Sequence, residues 1–143
     1  MRPDWHQYFT EIALLTRSRS TCPRRQVGAV LVRDQRIIAT GYNGSVKGQA
    51  HCDEVGCLME NDHCVRTVHA EHNAILQCAS IGVPTVGAVL YTTDFPCFNC
   101  AKAIAQAGLK TVYYLNSYPD PKTRTILEQA NLELVAMGET FAN

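Results

Sequence analysis

Apolar residues in the first twenty positions recur every three or four places: Trp5, Tyr8, Phe9, Ile12, Ala13 and Leu15 fall on one side of a helix spanning about 5–19. Asp4 stands where an N-cap belongs, its carboxylate placed to accept from an orphan amide of the first turn. The period then changes. Residues 27–32 and 36–42 are short β-rich runs separated by Arg33-Asp34-Gln35, which predicts a hairpin with a short loop. Further on, helix-like segments at about 70–80, 97–107 and 122–130 alternate with strand-like runs at 88–93, 111–115 and about 132–136, and Gly108 stops the second of those helices. Strands alternating with helices after an opening hairpin predict an α/β fold. Its mixed five-stranded sheet lies between helices in three α-β-α layers, and its later strands run parallel.

The stretch 45–68 follows neither period and holds Gly48, Gly56, His51, Cys52, Cys57, His63 and Cys64. A loop of that length in a small fold is expected to be functional or to be held by something. With 143 residues and 46% hydrophobic content, the chain is long enough for one domain with a buried core, taken as 1–143.

Thirteen Lys+Arg balance thirteen Asp+Glu, so the global positive field used for non-specific nucleic-acid binding is absent and no nucleic-acid partner is expected. Met1-Arg2-Pro3-Asp4-Trp5 carries no apolar signal segment, and no stretch approaches the roughly 20 apolar residues of a membrane span. The expectation is a soluble, cytoplasmic protein with no membrane partner. Seven cysteines, an odd number without a secretion signal, point away from a disulfide framework and towards metal or redox chemistry.

His69-Ala70-Glu71 opens one predicted helix, and Pro96-Cys97-Phe98-Asn99-Cys100 opens another after a strand. Cys97 and Cys100, three apart on a first helical turn, share a face and are placed to chelate one ion, with His69 as third ligand. Three protein ligands leave the fourth tetrahedral position of Zn²⁺ open for water, as a catalytic site requires. Glu71 follows His69 closely but is left free as a proton acceptor. Since residues two apart on a helix point in different directions, His69 must lie at the very start of the helix or just before it. Cys-x-x-Cys alone is more often a redox pair or half of a structural zinc site, and His-x-Glu alone is weaker still. The combination resembles the H-x-E…P-C-x-x-C signature of zinc deaminases.

The resemblance extends along nearly the whole chain. Gln26-Val27-Gly28-Ala29-Val30, Gly41-Tyr42-Asn43-Gly44, Val68-His69-Ala70-Glu71-His72-Asn73-Ala74-Ile75 and Pro96-Cys97-Phe98-Asn99-Cys100-Ala101-Lys102 resemble the deoxycytidylate (dCMP) deaminases of the zinc-dependent cytidine/deoxycytidylate deaminase superfamily. The segment from Cys52 to Thr67 looks like the insertion of their bacterial and phage branch. The resemblance implies a cytidine deaminase-like fold and hydrolysis of dCMP to dUMP and ammonia, with Glu71 moving protons and His69, Cys97 and Cys100 holding zinc. It also implies substrate contacts from Asn43, Ala70 and Tyr118. In this family dCTP, with Mg²⁺, activates and dTTP inhibits, through a site resembling Gly41-Tyr42-Asn43-Gly44, and the assembly is a hexamer. A bacterial cell or a phage-infected host is the implied setting.

A 5′-phosphate calls for fixed donors, for which Arg24, Arg25 and Arg66 are the candidates. The remaining thiols Cys22, Cys52, Cys57 and Cys64, with His51 and His63, exceed the four ligands of a second, structural zinc. Some relatives in this family carry such a zinc; spacing does not choose among the ligands, Cys22, His51, Cys57 and Cys64 are the candidate set, and buried reduced cysteines are the alternative. Cys78 reads as core and His72 as structural. A transfer-RNA adenosine deaminase would share the metal motifs but calls for a more basic surface, a free-nucleoside deaminase needs no phosphate donors, and a zinc-stabilised binding module has no use for Glu71.

Overall fold

The structure, a computed structural model, describes residues 1–116 and 120–138. In chain order its elements are α1 (Trp5–Arg17), β1 (Gly28–Arg33), β2 (Arg36–Tyr42), β3 (Gly44–Ser45), α2 (Cys52–Val55), β4 (Met59–Glu60), β5 (His63–Cys64), β6 (Thr67–Val68), α3 (Ala70–Ile81), β7 (Val89–Asp94), α4 (Phe98–Gln106), β8 (Thr111–Asn116), α5 (Pro121–Gln129) and β9 (Glu133–Ala136). The main sheet has five strands in the order β2-β1-β7-β8-β9. β1 is antiparallel to both β2 and β7, whereas β7, β8 and β9 are parallel, each reached through a helical crossover as expected.

β1 reads as an unbroken apolar run because both of its faces are covered. Val30 and Val32 join Phe9 and Ala13 of α1, while Ala29 and Leu31 join Ala70, Ala74 and Ile104 from α3 and α4 on the opposite face. Asp4 caps α1 by accepting from the Gln7 amide at 2.7 Å. A Cβ on Gly28 would run into the Ala13 carbonyl and come within 2.6 Å of the Arg17 amide, so this glycine lets α1 lie directly on β1.

Three features differ from the sequence-based expectation. α1 ends at Arg17 rather than about 19, because the Ser18 amide turns back to Leu15 and the chain then runs to Thr21, whose amide bonds to Asn43. The hairpin turn has two residues, Asp34 and Gln35, with φ of 52° and 60°, so Arg33 still pairs with Arg36. The stretch 45–68 holds local structure: β3 pairs with β6, and β4 pairs with β5 across Asn61 and Asp62, also at positive φ. Two-residue strands are too short to imprint a period on the sequence.

Candidate functional site

The N-termini of α3 and α4 meet, each at the end of a strand. β7 delivers the chain through Phe95 and Pro96 to Cys97, the N-cap of α4, and β6 delivers it to His69, the N-cap of α3. Both caps have extended backbone, at φ −65°, ψ 152° for His69 and φ −73°, ψ 170° for Cys97, which aims their side chains across the helix ends instead of along the helical surface. Cys100, in the first turn of α4, is fully buried. His69 Nδ1 lies 3.5 Å from the Cys97 sulphur and 3.3 Å from the Cys100 sulphur, and the three ligand atoms lie within 4.8 Å of one another.

These separations suit one tetrahedral ion: zinc at about 2.3 Å from sulphur and about 2.0–2.1 Å from nitrogen spaces its ligands by roughly 3.5–3.8 Å. No fourth His, Cys, Asp or Glu joins the group among the described residues. Of the three donors, Cys97 is the one already held in the thiolate form a metal needs. Cys97 is pushed down to about 3, first by the hydrogen bond from the Cys100 thiol and then, against burial, by His69 and the Cys100 amide; as the donor of that bond, and buried, Cys100 is pushed up. The bond to Cys97 raises His69, with burial opposing.

Glu71, on the first turn of α3, is 4% exposed. Burial pushes its carboxyl up to about 7, held back by its own amide and by the charges of His69 and Arg25. A carboxyl of that kind exchanges a proton readily near neutrality. The N-termini of α3 and α4 add partial positive charge at the same place.

Asn43 is 2% exposed and both ends of its amide are engaged: Oδ1 accepts from the Ala70 amide at 2.9 Å, and Nδ2 donates to the Arg25 carbonyl at 3.2 Å. It therefore ties the end of β2 to the first residue of α3 and to the loop before β1, and the Ala70 amide is taken up by the same bond. Of the three arginines, Arg25 is exposed and its charge acts on both His69 and Glu71. Arg66 is turned elsewhere, its Nε donating to the Gly56 carbonyl at 3.0 Å, and Arg24 is exposed. Tyr118 lies outside the described residues.

Gly41, Tyr42 and Gly44 line a cavity of about 650 Å³ together with Ser45, Lys47 and His51, while the Asn43 amide points instead towards α3. Gly41 has a packing reason of its own, since a Cβ there would strike the Ala70 carbonyl and stand 2.6 Å from the Ala74 amide. The expectation that this glycine serves approach to a nucleotide is thus joined by a different cause, the seating of α3 on β2.

In the second candidate metal group, the structure brings Cys52 rather than His51 to Cys22, Cys57 and Cys64. Cys22, Cys52, Cys57 and Cys64 bring their sulphurs within 4.8 Å of one another, with Cys22 to Cys57 at 3.9 Å and Cys52 to Cys64 at 3.6 Å. His51 stands outside because its Nδ1 is used by the Thr21 hydroxyl at 3.0 Å and the Ser45 amide at 3.4 Å; the next residue, Cys52, opens α2 facing inward and is buried. Although burial opposes it, the amides of Arg66 and Leu58 hold the Cys64 thiol down to about 7, while burial pushes Cys52 up to about 12. Asp53 donates from its backbone to the Thr21 carbonyl, and the Thr21 amide donates to Asn43, so this cluster is tied to the first site through two backbone bonds. Thr21 carried no sequence signal.

The sequence profile of the cytidine and deoxycytidylate deaminase zinc-binding region matches residues 3–116. The chain belongs to this family. It is 55% identical to the ComE operon protein 2 of Bacillus subtilis over 99% of the chain and 77% of that protein. It is 43% identical to the deoxycytidylate deaminase of Schizosaccharomyces pombe over 93% of the chain but only 44% of that enzyme, so it spans less than half of the yeast protein. Among solved structures, the dCMP deaminase of cyanophage S-TIM5 in complex with dCMP and dUMP superposes with a TM-score of 0.84 and 34% identity, covering 96% of the chain and 99% of the phage protein. The three-layer fold expected from the sequence is the fold of these deaminases. No helix of the described residues is long and apolar enough to cross a membrane.

Proposed function

We propose that the protein hydrolyses dCMP to dUMP and ammonia, with zinc held by His69, Cys97 and Cys100 and with Glu71 as the catalytic proton carrier. The observation that carries this reading is a buried carboxyl beside a three-ligand group with no fourth protein ligand among the described residues. When bound, zinc supplies the Lewis acidity that makes water a nucleophile at neutral pH. Glu71 would take one proton from a water held in the site and pass it to N3 of cytosine as the water oxygen bonds to C4. It then carries the second proton to the exocyclic amine, the C4–N bond breaks and ammonia leaves. Ammonia release from dCMP, deoxycytidine, CMP and adenosine-containing RNA tests the substrate: turnover confined to dCMP supports the reading, and turnover of RNA or a free nucleoside instead overturns it.

Arg25 is the phosphate donor this reading selects among the three arginines, because its charge already reaches His69 and Glu71 while Arg66 holds the Gly56 carbonyl. Loss of a charged hydrogen bond costs about 1.5–3 kcal/mol. Arg25→Ala is therefore expected to raise KM for dCMP by about 10- to 100-fold, and to change any turnover of deoxycytidine far less, only through the lost charge near Glu71. The family resemblance assigns the sugar contact to Asn43, whose amide here holds Ala70 and Arg25, and the pyrimidine contact to Tyr118, outside the described residues.

The cavity beside Gly41, Tyr42 and Gly44 takes the triphosphate effectors, dCTP with Mg²⁺ activating and dTTP inhibiting. Lys47 supplies a cation there, and Ser45 has a buried hydroxyl without a partner among the described residues. The assembly is a hexamer by family resemblance, and Leu76 and Ile81 of α3 are among the exposed apolar side chains open to a neighbouring subunit.

Cys22, Cys52, Cys57 and Cys64 hold a second, structural zinc; four sulphurs roughly 3.8 Å apart are what a closed tetrahedral site at about 2.3 Å requires. Metal analysis is expected to give two zinc ions per chain, falling to one in Cys57→Ser and staying at two in His51→Ala.

A further inference from the structure

The Cys100 sulphur has a neighbour that neither the proposed ligand set nor the proton chemistry uses. His72 follows Glu71, three residues beyond the N-cap His69, and so lies on the same side of the first turn of α3. Its Nδ1 stands 3.7 Å from the Cys100 sulphur, the reach of an N–H···S hydrogen bond, and its backbone N–H donates to the same sulphur. His72 is not one of the group whose ligand atoms all lie within 4.8 Å of one another, so it stands behind a ligand without being one. Cys100 is 1% exposed, which leaves water little access to a sulphur that carries thiolate charge once a metal is bound.

We infer that His72 is a positioning residue for the reaction: its imidazole donates from Nδ1 to the Cys100 sulphur, withdrawing electron density from that ligand and fixing its direction. Sulphur ligands neutralise a metal, and the more charge they give, the weaker its pull on water. A donor to sulphur restores part of that pull, and outer partners of this kind are worth roughly 10- to 100-fold in metal affinity or activity. Glu71 and the open side of the site are untouched, so the effect falls on turnover and not on substrate binding. The tautomer with hydrogen on Nδ1 follows from the role, since a thiolate accepts and does not donate.

This inference rests on the zinc-dependent reading above, and cobalt-substituted protein separates the two. Cobalt in the wild-type protein is expected to show a near-ultraviolet sulphur-to-metal charge-transfer band; its absence would overturn the ligand set itself. With that band present, His72→Leu, which has no donor, is expected to move it to longer wavelength and to lower the zinc enzyme's kcat for dCMP about tenfold, with KM within about twofold. His72→Asn carries an N–H at a reach similar to Nδ1 and is expected to bring both band and kcat back towards wild type. A band unmoved in His72→Leu, or a kcat unchanged there, overturns the inference. So does failure of His72→Asn to recover either property, which would make the side chain merely a filler of space.

Discussion

Glu71→Gln is expected to give a folded, zinc-loaded protein whose kcat for dCMP is at least about 10³-fold below that of the parent, within the roughly 10²- to 10⁴-fold range of positioned proton transfer. The substitution is nearly isosteric, and the residue it replaces is buried, so packing around the first turn of α3 is preserved. The proton inventory changes instead. Burial pushes Glu71 up to about 7, towards neutral pH, where a carboxyl can both take and give a proton, and an amide does neither. Zinc content and thermal unfolding of the variant check the fold, and steady-state ammonia release checks the chemistry. A variant that keeps zinc and retains a tenth or more of its turnover would remove Glu71 from the mechanism.

Gly41→Ala is expected to be, like Gly28→Ala, among the most damaging single-methyl changes, and the one of the two that reaches the catalytic metal site. The added Cβ collides with the Ala70 carbonyl and lies 2.6 Å from the Ala74 amide, both of them backbone atoms of α3 that no side-chain rotation moves aside. α3 must retreat from β2, and the N-cap of the retreating helix is His69. Overpacking of this kind costs about 3 kcal/mol, which corresponds to a fall in Tm of roughly 10 °C for a chain of this size. Catalytic zinc content falls with it, because His69 moves relative to Cys97 and Cys100. Gly48→Ala serves as the comparison: φ is +84° but nothing lies within 4 Å, so only backbone strain of about 1 kcal/mol is incurred and zinc content is unchanged. Equal losses in the two variants, measured by thermal melts and metal analysis, would show that the close seating of α3 is not what Gly41 provides.

The sequence determined by itself everything that has a local signature. Helical and strand periods mark α1, α3, α4, α5 and the five long strands, since each buries a repeating face. His69-Ala70-Glu71 and Pro96-Cys97-Phe98-Asn99-Cys100 announce a metal with a carboxyl beside it, because ligand chemistry restricts residue type and spacing together.

The tertiary structure decided what depends on side-chain direction and on partners far away in the chain. His51 and Cys52 are adjacent and equally plausible as ligands by type, but the fold engages the first with Thr21 and Ser45 and turns the second inward, so the second cluster has four thiols. Arg66 is nearest to His69 in sequence among the three arginines, yet it holds the Gly56 carbonyl, while Arg25, far away along the chain, brings its charge to Glu71. Asn43 and Ala70 are joined across 27 positions by one hydrogen bond. His72 meets Cys100 only because α3 and α4 converge with their N-termini together. Short-range periodicity carries no information about any of these contacts: they arise when helices and strands pack, and only the packed chain specifies which of several chemically equivalent side chains arrives.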